Sequence, residues 1–321
     1  MHAIQVSEHG GPEVLRYAEV TDPQIGPGQL LVDADAIGVN FIDTYIRTGV
    51  YPQPVPYIPG AEGAGVVAAV GAGVTEFQVG DRVAWATGTA SYAQKVAVDA
   101  AIAVPVPDGC ESTVAASALL QGMTAHYLVN SVYNPEPGES VLVHAGAGGV
   151  GLILTQLAAA RGVRVITTVS TDEKVAISRG AGAAEVLRYG DDLARRVRAL
   201  TDGAGVAAVY DGVGKETFDA SLDSLRVRGI LALFGGASGQ VPPVDPQRLN
   251  LGGGLFLTRP SLAHYTRDRA ELLWRAGDIL DAVAAGALHI RIGDTYPLAD
   301  AADAHRDLEG RKTTGSIVLI P

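Results

Sequence analysis

Six consecutive residues carry the sharpest chemical signal in this 321-residue chain: Gly146-Ala147-Gly148-Gly149-Val150-Gly151. They fit G-x-G-x-x-G. They lie between an apolar, β-branched run, SVLVHAG (140–146), and an apolar run with helical spacing, GGVGLILTQLAAARG (148–162). In that setting the glycines permit a tight turn, admit a pyrophosphate against bare backbone amides, and let helix and strand approach closely. The start of the following helix adds unpaired N–H donors and a partial positive charge at Gly148, Gly149, Val150 and Gly151. A plain Gly-rich turn is the competing reading in a chain with 40 glycines. The strand before and the helix after decide against it.

The next strand, RVITTVS (164–170), selects the dinucleotide. An NAD site places Asp or Glu about 20 residues beyond the glycines, on the ribose 2′-OH. Here Ser170 stands in that position, followed by Thr171, Asp172, Glu173 and Lys174. A small hydroxyl leaves room for a 2′-phosphate and Lys174 can neutralise it. Arg188 and Tyr189 follow the next helix and can approach the same group. Asp172 and Glu173 argue the other way unless they open a helix, where acidic side chains suit the dipole. The reading is NADPH over NADH. Two later loops, Tyr210-Asp211-Gly212-Val213-Gly214 and Phe234-Gly235-Gly236-Ala237, fall at strand ends. Ligands of such sheets bind there, so both loops are expected to line the ribose and nicotinamide.

The chemistry that is missing narrows the reaction. The seven histidines form no i, i+4 pair, and Cys110 is the one cysteine, so no zinc site is readable. No Ser-His-Asp order, nucleophile elbow or Gly-Lys-Ser/Thr phosphate loop is present. Hydride addition to an ordinary ketone leaves an alkoxide that needs a Lewis acid or a strong donor. Without a metal, an electron-poor acceptor such as a quinone or an activated alkene is the better substrate.

These groups need a scaffold. The first third reads as strands, LLVDADAIGV (30–39), GAGVVAAVG (63–71), DRVAWA (81–86) and YAQKVAVDA (92–100), punctuated by Gly and Pro. A helical stretch begins near residue 111. From 140 onward strands alternate with helices, with further strands at VAAVYDG (206–212) and GILALFGG (229–236), which implies a parallel sheet covered on both faces. In the tail, 271–290 and 301–310 read as helices and GSIVLIP (315–321) as a last strand. The fold class is α/β with a second, β-rich lobe. The net charge of -11 disfavours nucleic acid and anionic lipid, and no leader-like or membrane-spanning run is read, so a cytoplasmic protein is expected.

The chain resembles the medium-chain dehydrogenase/reductase superfamily and, within it, the zinc-free NADPH:quinone oxidoreductases related to zeta-crystallin. The motifs that carry the resemblance are GVNFIDTYIRTGVYP (38–52), PGAEGAGVV (59–67), AGAGGVG (145–151), VYDGVG (209–214) and TRPSL (258–262). Zinc-containing relatives place a ligand His before the Glu of PGAEGAG, and Ala61 stands there. Their early Cys falls in the Asn40 region. The resemblance implies a GroES-like lobe at 1–123 and 262–321, a Rossmann lobe at 124–261, and NADPH in the cleft between them.

It also implies site residues. Asn40, Phe41, Ile42, Asp43, Thr44 and Tyr45 would meet the nicotinamide end or the quinone, with Asn40 and Tyr45 donating to the developing oxyanion. Thr124 and Tyr127 would stand near the nicotinamide, Arg259 would hold a substrate oxygen, and Arg311 would touch the cofactor. A homodimer formed through the Rossmann sheets is implied, with LNLGGGLFLT (249–258) as edge or core. Two departures stand out: Gly212 where relatives often have Ser, and Gly315-Ser316 where many have Gly-Lys. The rival readings are an NADPH-dependent enone, alkenal or acyl-thioester reductase, and a non-catalytic structural or RNA-binding member of the same fold.

Overall fold

The structure is a computed structural model and describes residues 1–321. The chain divides into two compact units, Met1–Met123 with Thr266–Pro321, and Thr124–Tyr265. The second crossing falls at Tyr265/Thr266, four residues beyond the 261/262 boundary that the resemblance implies.

The first unit opens with an antiparallel pair, β1 (His2–Gln5) and β2 (Arg16–Glu19). Its main sheet is built on β3 (Gln29–Val39), followed by α1 (Phe41–Arg47), β4 (Glu62–Val70), β5 (Arg82–Trp85), β6 (Lys95–Asp99) and β7 (Val104–Pro105). β3 alternates at first, with Leu30 and Val32 buried and Asp33 exposed, and then buries every residue from Ala36 to Val39. That change matches a change of neighbours. The first half of β3 pairs with β6 and the second half with the last strand of the chain. Trp85, Val96, Val98, Leu30 and Val32 fill one core, and Ile4, Ile37, Tyr92, Leu298 and Ile317 another. α2 (Ser112–Tyr127) then carries the chain into the second unit and ends in a π-helical turn, Leu128–Val132.

The second unit alternates without exception: β8 (Ser140–Val143), α3 (Gly149–Ala159), β9 (Arg164–Val169), α4 (Asp172–Gly180), β10 (Glu185–Arg188), α5 (Leu193–Ala199), β11 (Val206–Asp211), α6 (Phe218–Ser224), β12 (Leu225–Leu233), α7 (Pro246–Leu251) and β13 (Phe256–Thr258). The strands are ordered β10-β9-β8-β11-β12-β13 and all pairings are parallel. This is the doubly wound order of a dinucleotide-binding sheet. β12 starts at Leu225, four residues before the run read from sequence. Exposed Val227 and a left-handed Arg228 (φ 59°) interrupt the hydrophobic pattern there.

The tail returns to the first unit as α8 (Arg269–Ala284), β14 (Ile292–Pro297), α9 (Ala301–Glu309) and β15 (Ser316–Ile320). β15 pairs antiparallel with the second half of β3 and so joins the sheet of the first unit, where the resemblance placed it. The helix expected over 271–290 stops at Ala284. Gly286, at φ +69°, turns the chain out of the helix, and the residues beyond it are not helical. No helix is long and apolar enough to cross a membrane.

Candidate active site

Because the sheet of the second unit is parallel, the carboxyl ends of β8, β9, β11, β12 and β13 share one edge. The Gly146–Gly151 loop, Ser170, Gly212, Phe234 and Arg259 follow those strands directly. α3 begins at Gly149 with Gly148 as its N-cap and no side-chain cap. The first intrahelical bond runs from Leu152 N to Gly148 O at 2.9 Å. The N–H groups of the first turn therefore have no carbonyl behind them, which suits a phosphate oxygen. A Cβ on Gly146 would sit 2.5 Å from Thr167 Cβ, and one on Gly151 2.3 Å from Ala145 O. Those two glycines serve close packing. Gly148 meets nothing nearer than 3.3 Å, so its bare backbone leaves an approach open. These residues fit a bound dinucleotide.

The end of β9 bears on the 2′-position. Thr171 is the N-cap of α4, and Asp172 and Glu173 occupy its first turn, as expected for acidic residues at a helix start. The guanidinium of Arg188 donates to Ser170 O and pairs with the Asp172 carboxylate. The one acid nearest Ser170 is thereby matched by a cation, and its side chain is 94% exposed. Arg188 Nε is buried without a partner. Lys174 stands in the same first turn of α4.

Beneath the glycine loop lies a polar chain that the sequence reading did not single out. His144 Nδ1 is 2.9 Å from Thr168 Oγ1, and its Nε2 is 2.9 Å from Ser221 Oγ. Ser221 and Thr217 each donate to Asp211 Oδ2 at 2.7 Å, while Val213 N and Gly214 N donate to Oδ1. Since Ser221 gives its proton to Asp211, it must accept from His144 Nε2–H, and Nδ1 must accept from Thr168. Burial keeps the ring neutral by lowering its pKa, with Asp211 pulling the other way. Tyr189 closes the loop from above. Its hydroxyl accepts from Ala145 N at 2.9 Å, and its ring lies nearly parallel to His144 at 5.9 Å.

Other expected contacts are placed as follows. A Cβ on Gly212 would come within 2.8 Å of Phe234 Cζ, so a serine there requires that ring to shift. Gly235 packs against Gly212 O, and Ala237 N donates to it. Gly236 is buried. Thr124 and Tyr127 are buried, and the Tyr127 ring stacks on Tyr265 at 4.4 Å. Arg259 and Arg311 are exposed.

In the first unit, α1 holds Phe41, Ile42, Asp43, Thr44 and Tyr45, with Asn40 as N-cap. Tyr45 lies between two aromatic neighbours, Phe41 at 6.3 Å and Tyr51 edge-on at 5.6 Å. Asn40 is fixed at every polar atom. Its N–H donates to Asp43 Oδ2 at 2.9 Å and its carbonyl accepts from Asp43 N. Its Nδ2 donates to Glu62 Oε2 at 2.7 Å, and its Oδ1 accepts from Gln121 Nε2 at 3.1 Å. Burial raises Asp43 to about 6, against the pull of Asn40 N–H and the Tyr92 hydroxyl. Burial, with Asp43 adding to it, raises Glu62 to about 8, against donors from Leu120, Asn40 and Leu119. Asp43 is tied further to His305, Arg47 and Glu309 through the Tyr92 hydroxyl. Of this cluster the sequence pointed to Asn40 and Asp43. Glu62 drew notice only as the neighbour of Ala61, and Gln121 drew none. No group of three or more His, Cys, Asp or Glu side chains is placed to hold a metal ion.

Comparison with known proteins agrees with this geometry. Residues 26–108 match the alcohol dehydrogenase GroES-like domain, and residues 149–267 match the zinc-binding dehydrogenase family. The chain is 45% identical to a quinone oxidoreductase of Pseudomonas aeruginosa, over 99% of both chains. It is 42% identical to a 2-haloacrylate reductase of a Burkholderia species, over 99% of this chain and 98% of the other. The native structure of a mycobacterial protein complexed with NADPH superposes with a TM-score of 0.98, at 59% identity over 100% of both chains. The chain belongs to the quinone oxidoreductase family of the medium-chain dehydrogenases/reductases.

Proposed function

We propose that this protein is an NADPH-dependent quinone reductase that works without a metal ion. The observation that carries the cofactor is the uncapped start of α3 beside a β9 end where Ser170 replaces the acid of an NAD site. Asp172, the nearest rival acid, is paired with Arg188. The related mycobacterial structure holds NADPH at 59% identity. The bound cofactor would supply a hydride. The first turn of α3 holds the pyrophosphate, and Ser170, Lys174 and Arg188 receive the 2′-phosphate. Asn40 and Tyr45 donate to the acceptor oxygen as it gains charge, and Arg259 holds a substrate oxygen. The hydroquinone anion is stabilised by aromaticity, so solvent can supply its proton.

A second reading has a specific observation behind it. A 2-haloacrylate reductase is 42% identical over nearly the whole chain, so an electron-poor alkene is the competing acceptor. The test is NADPH oxidation against a panel of quinones and enones, ranked by kcat/KM and repeated with NADH. Quinones leading the panel, with NADPH preferred at least tenfold, is the expected result. An enone or haloacrylate ahead of every quinone would replace this assignment.

A further inference from the structure

Four side chains of the first unit form one directed hydrogen-bond chain. Ser316 Oγ donates to Gln121 Oε1 at 2.8 Å, a shorter contact than its 3.4 Å approach to Ser117 O. Gln121 Nε2 donates to Asn40 Oδ1 at 3.1 Å, and Asn40 Nδ2 donates to Glu62 Oε2 at 2.7 Å. The other Glu62 oxygen accepts Leu120 N at 2.7 Å. Every member is buried; Glu62 is 0% exposed. An amide can turn over and exchange its oxygen and nitrogen at little steric cost, so an isolated Asn40 could present either atom. Here Leu120 N cannot turn over. It anchors one Glu62 oxygen, and the other accepts from Asn40 Nδ2. Asn40 thus faces Glu62 with its nitrogen, and Gln121 holds the oxygen from the other side. One Nδ2 hydrogen is used by Glu62 and the second is left for another acceptor. The cluster also explains Gly38: a Cβ there would fall 2.5 Å from Glu62 Oε2 and 2.2 Å from Ala116 O.

We propose that Glu62, backed by Gln121 and Ser316, is a positioning residue that sets which way the Asn40 amide faces and so keeps its free N–H as the donor to the substrate oxygen. The inference rests on the reading of Asn40 as that donor. It also gives a use to Ser316, whose hydroxyl fixes Gln121.

Glu62→Gln is nearly isosteric and reverses the instruction. Its carbonyl must face Leu120 N, so its NH2 meets Asn40 Nδ2. Two donors then confront each other, and both Asn40 and Gln121 turn over. The expected result is a roughly tenfold fall in kcat with KM for NADPH changed less than about twofold. A double-mutant cycle with Asn40→Ala decides the route. If Glu62 acts through Asn40, the double variant turns over within about twofold of Asn40→Ala alone. Losses that multiply overturn the proposal. Asn40→Ala with wild-type turnover overturns the donor reading beneath it, and the proposal with it. Should Glu62→Gln fail to fold, as judged by its melting transition, Ser316→Ala takes its place in the same cycle. A fall in kcat of about threefold that vanishes in the Asn40→Ala background supports the proposal, and one that persists there overturns it.

Discussion

At the scale of single residues, Lys174 and Glu62 make opposite kinds of prediction. Lys174 concerns one phosphate. A cation beside a 2′-phosphate strengthens binding of the phosphorylated cofactor only, so Lys174→Ala should weaken NADPH about tenfold and leave NADH within twofold. Fluorescence titration with both cofactors checks this, and an equal loss for both would remove the 2′-phosphate assignment. Glu62 concerns protons. Its folded-state carboxyl titrates near 8 against an ordinary 4.5, because burial disfavours its charge. Between those values the folded protein holds a proton that the unfolded chain releases. Stability from this group is complete below about pH 4.5 and is lost as pH rises toward 8. One pKa unit corresponds to about 1.4 kcal/mol, so the swing is on the order of a few kcal/mol. Asp43, raised to about 6, acts in the same direction over a narrower window. Glu62→Gln should therefore gain stability relative to wild type between pH 5 and 8.5, measured by urea unfolding at each pH. Parallel curves would show that Glu62 keeps the same charge in both states.

At the scale of elements, the glycine loop is held by more than its glycines. β8, β9, β11 and α6 are joined under it by His144, Thr168, Asp211 and Ser221. Replacing His144 with Phe keeps the ring volume but leaves the buried Thr168 hydroxyl without its acceptor, at about 1–3 kcal/mol, while Ser221 keeps its bond to Asp211. The expected outcome is a lower melting temperature together with weaker NADPH binding, since the loop and the Ser170 strand lose their tie. Full NADPH affinity in a destabilised variant would show that the main chain alone shapes the loop. This network also marks the boundary of what was legible. The fingerprint and the strand-helix alternation could be read because they rest on local periodicity and turn chemistry, whereas the return of the last strand to the first lobe leaned on resemblance. Asn40 and Asp43 were reached through resemblance. Glu62, Gln121, Ser316 and His144 could not be read, because each acts on partners 22 to 195 residues away in sequence, and one polar residue in an apolar run looks like any other. The helix end at Ala284 was missed for a local reason. The single Gly286 inside an Ala-rich run ends the helix only because the chain there takes a positive φ.

At the scale of the whole molecule, the open sheet of the second unit ends in β10 at one edge and β13 at the other. β13 is the last strand of the order and pairs only with β12, so its outer row of N–H and C=O groups has no strand beside it. Natural sheets usually protect such an edge with charge, proline or a bulge. This one is flanked by apolar side chains instead: Leu251 is 85% exposed, Val227 67% and Phe256 59%. Val227 and the 251–256 segment are neighbours, since a Cβ on Gly253 would lie 3.1 Å from Val227. In the homodimer that the family resemblance implies, a second copy would cover this edge about a two-fold axis, β13 against β13, pairing the open groups and burying the same apolar residues on both chains. Phe256→Asp combined with Leu251→Asp places two carboxylates from each chain where the axis would bring them together. The expected result is a wild-type dimer in sedimentation velocity at micromolar concentration, and a monomer for the double variant that still binds NADPH. Retained NADPH binding separates a lost interface from a lost fold. A wild-type monomer at that concentration, or a double variant that stays dimeric, would place the interface elsewhere or remove it.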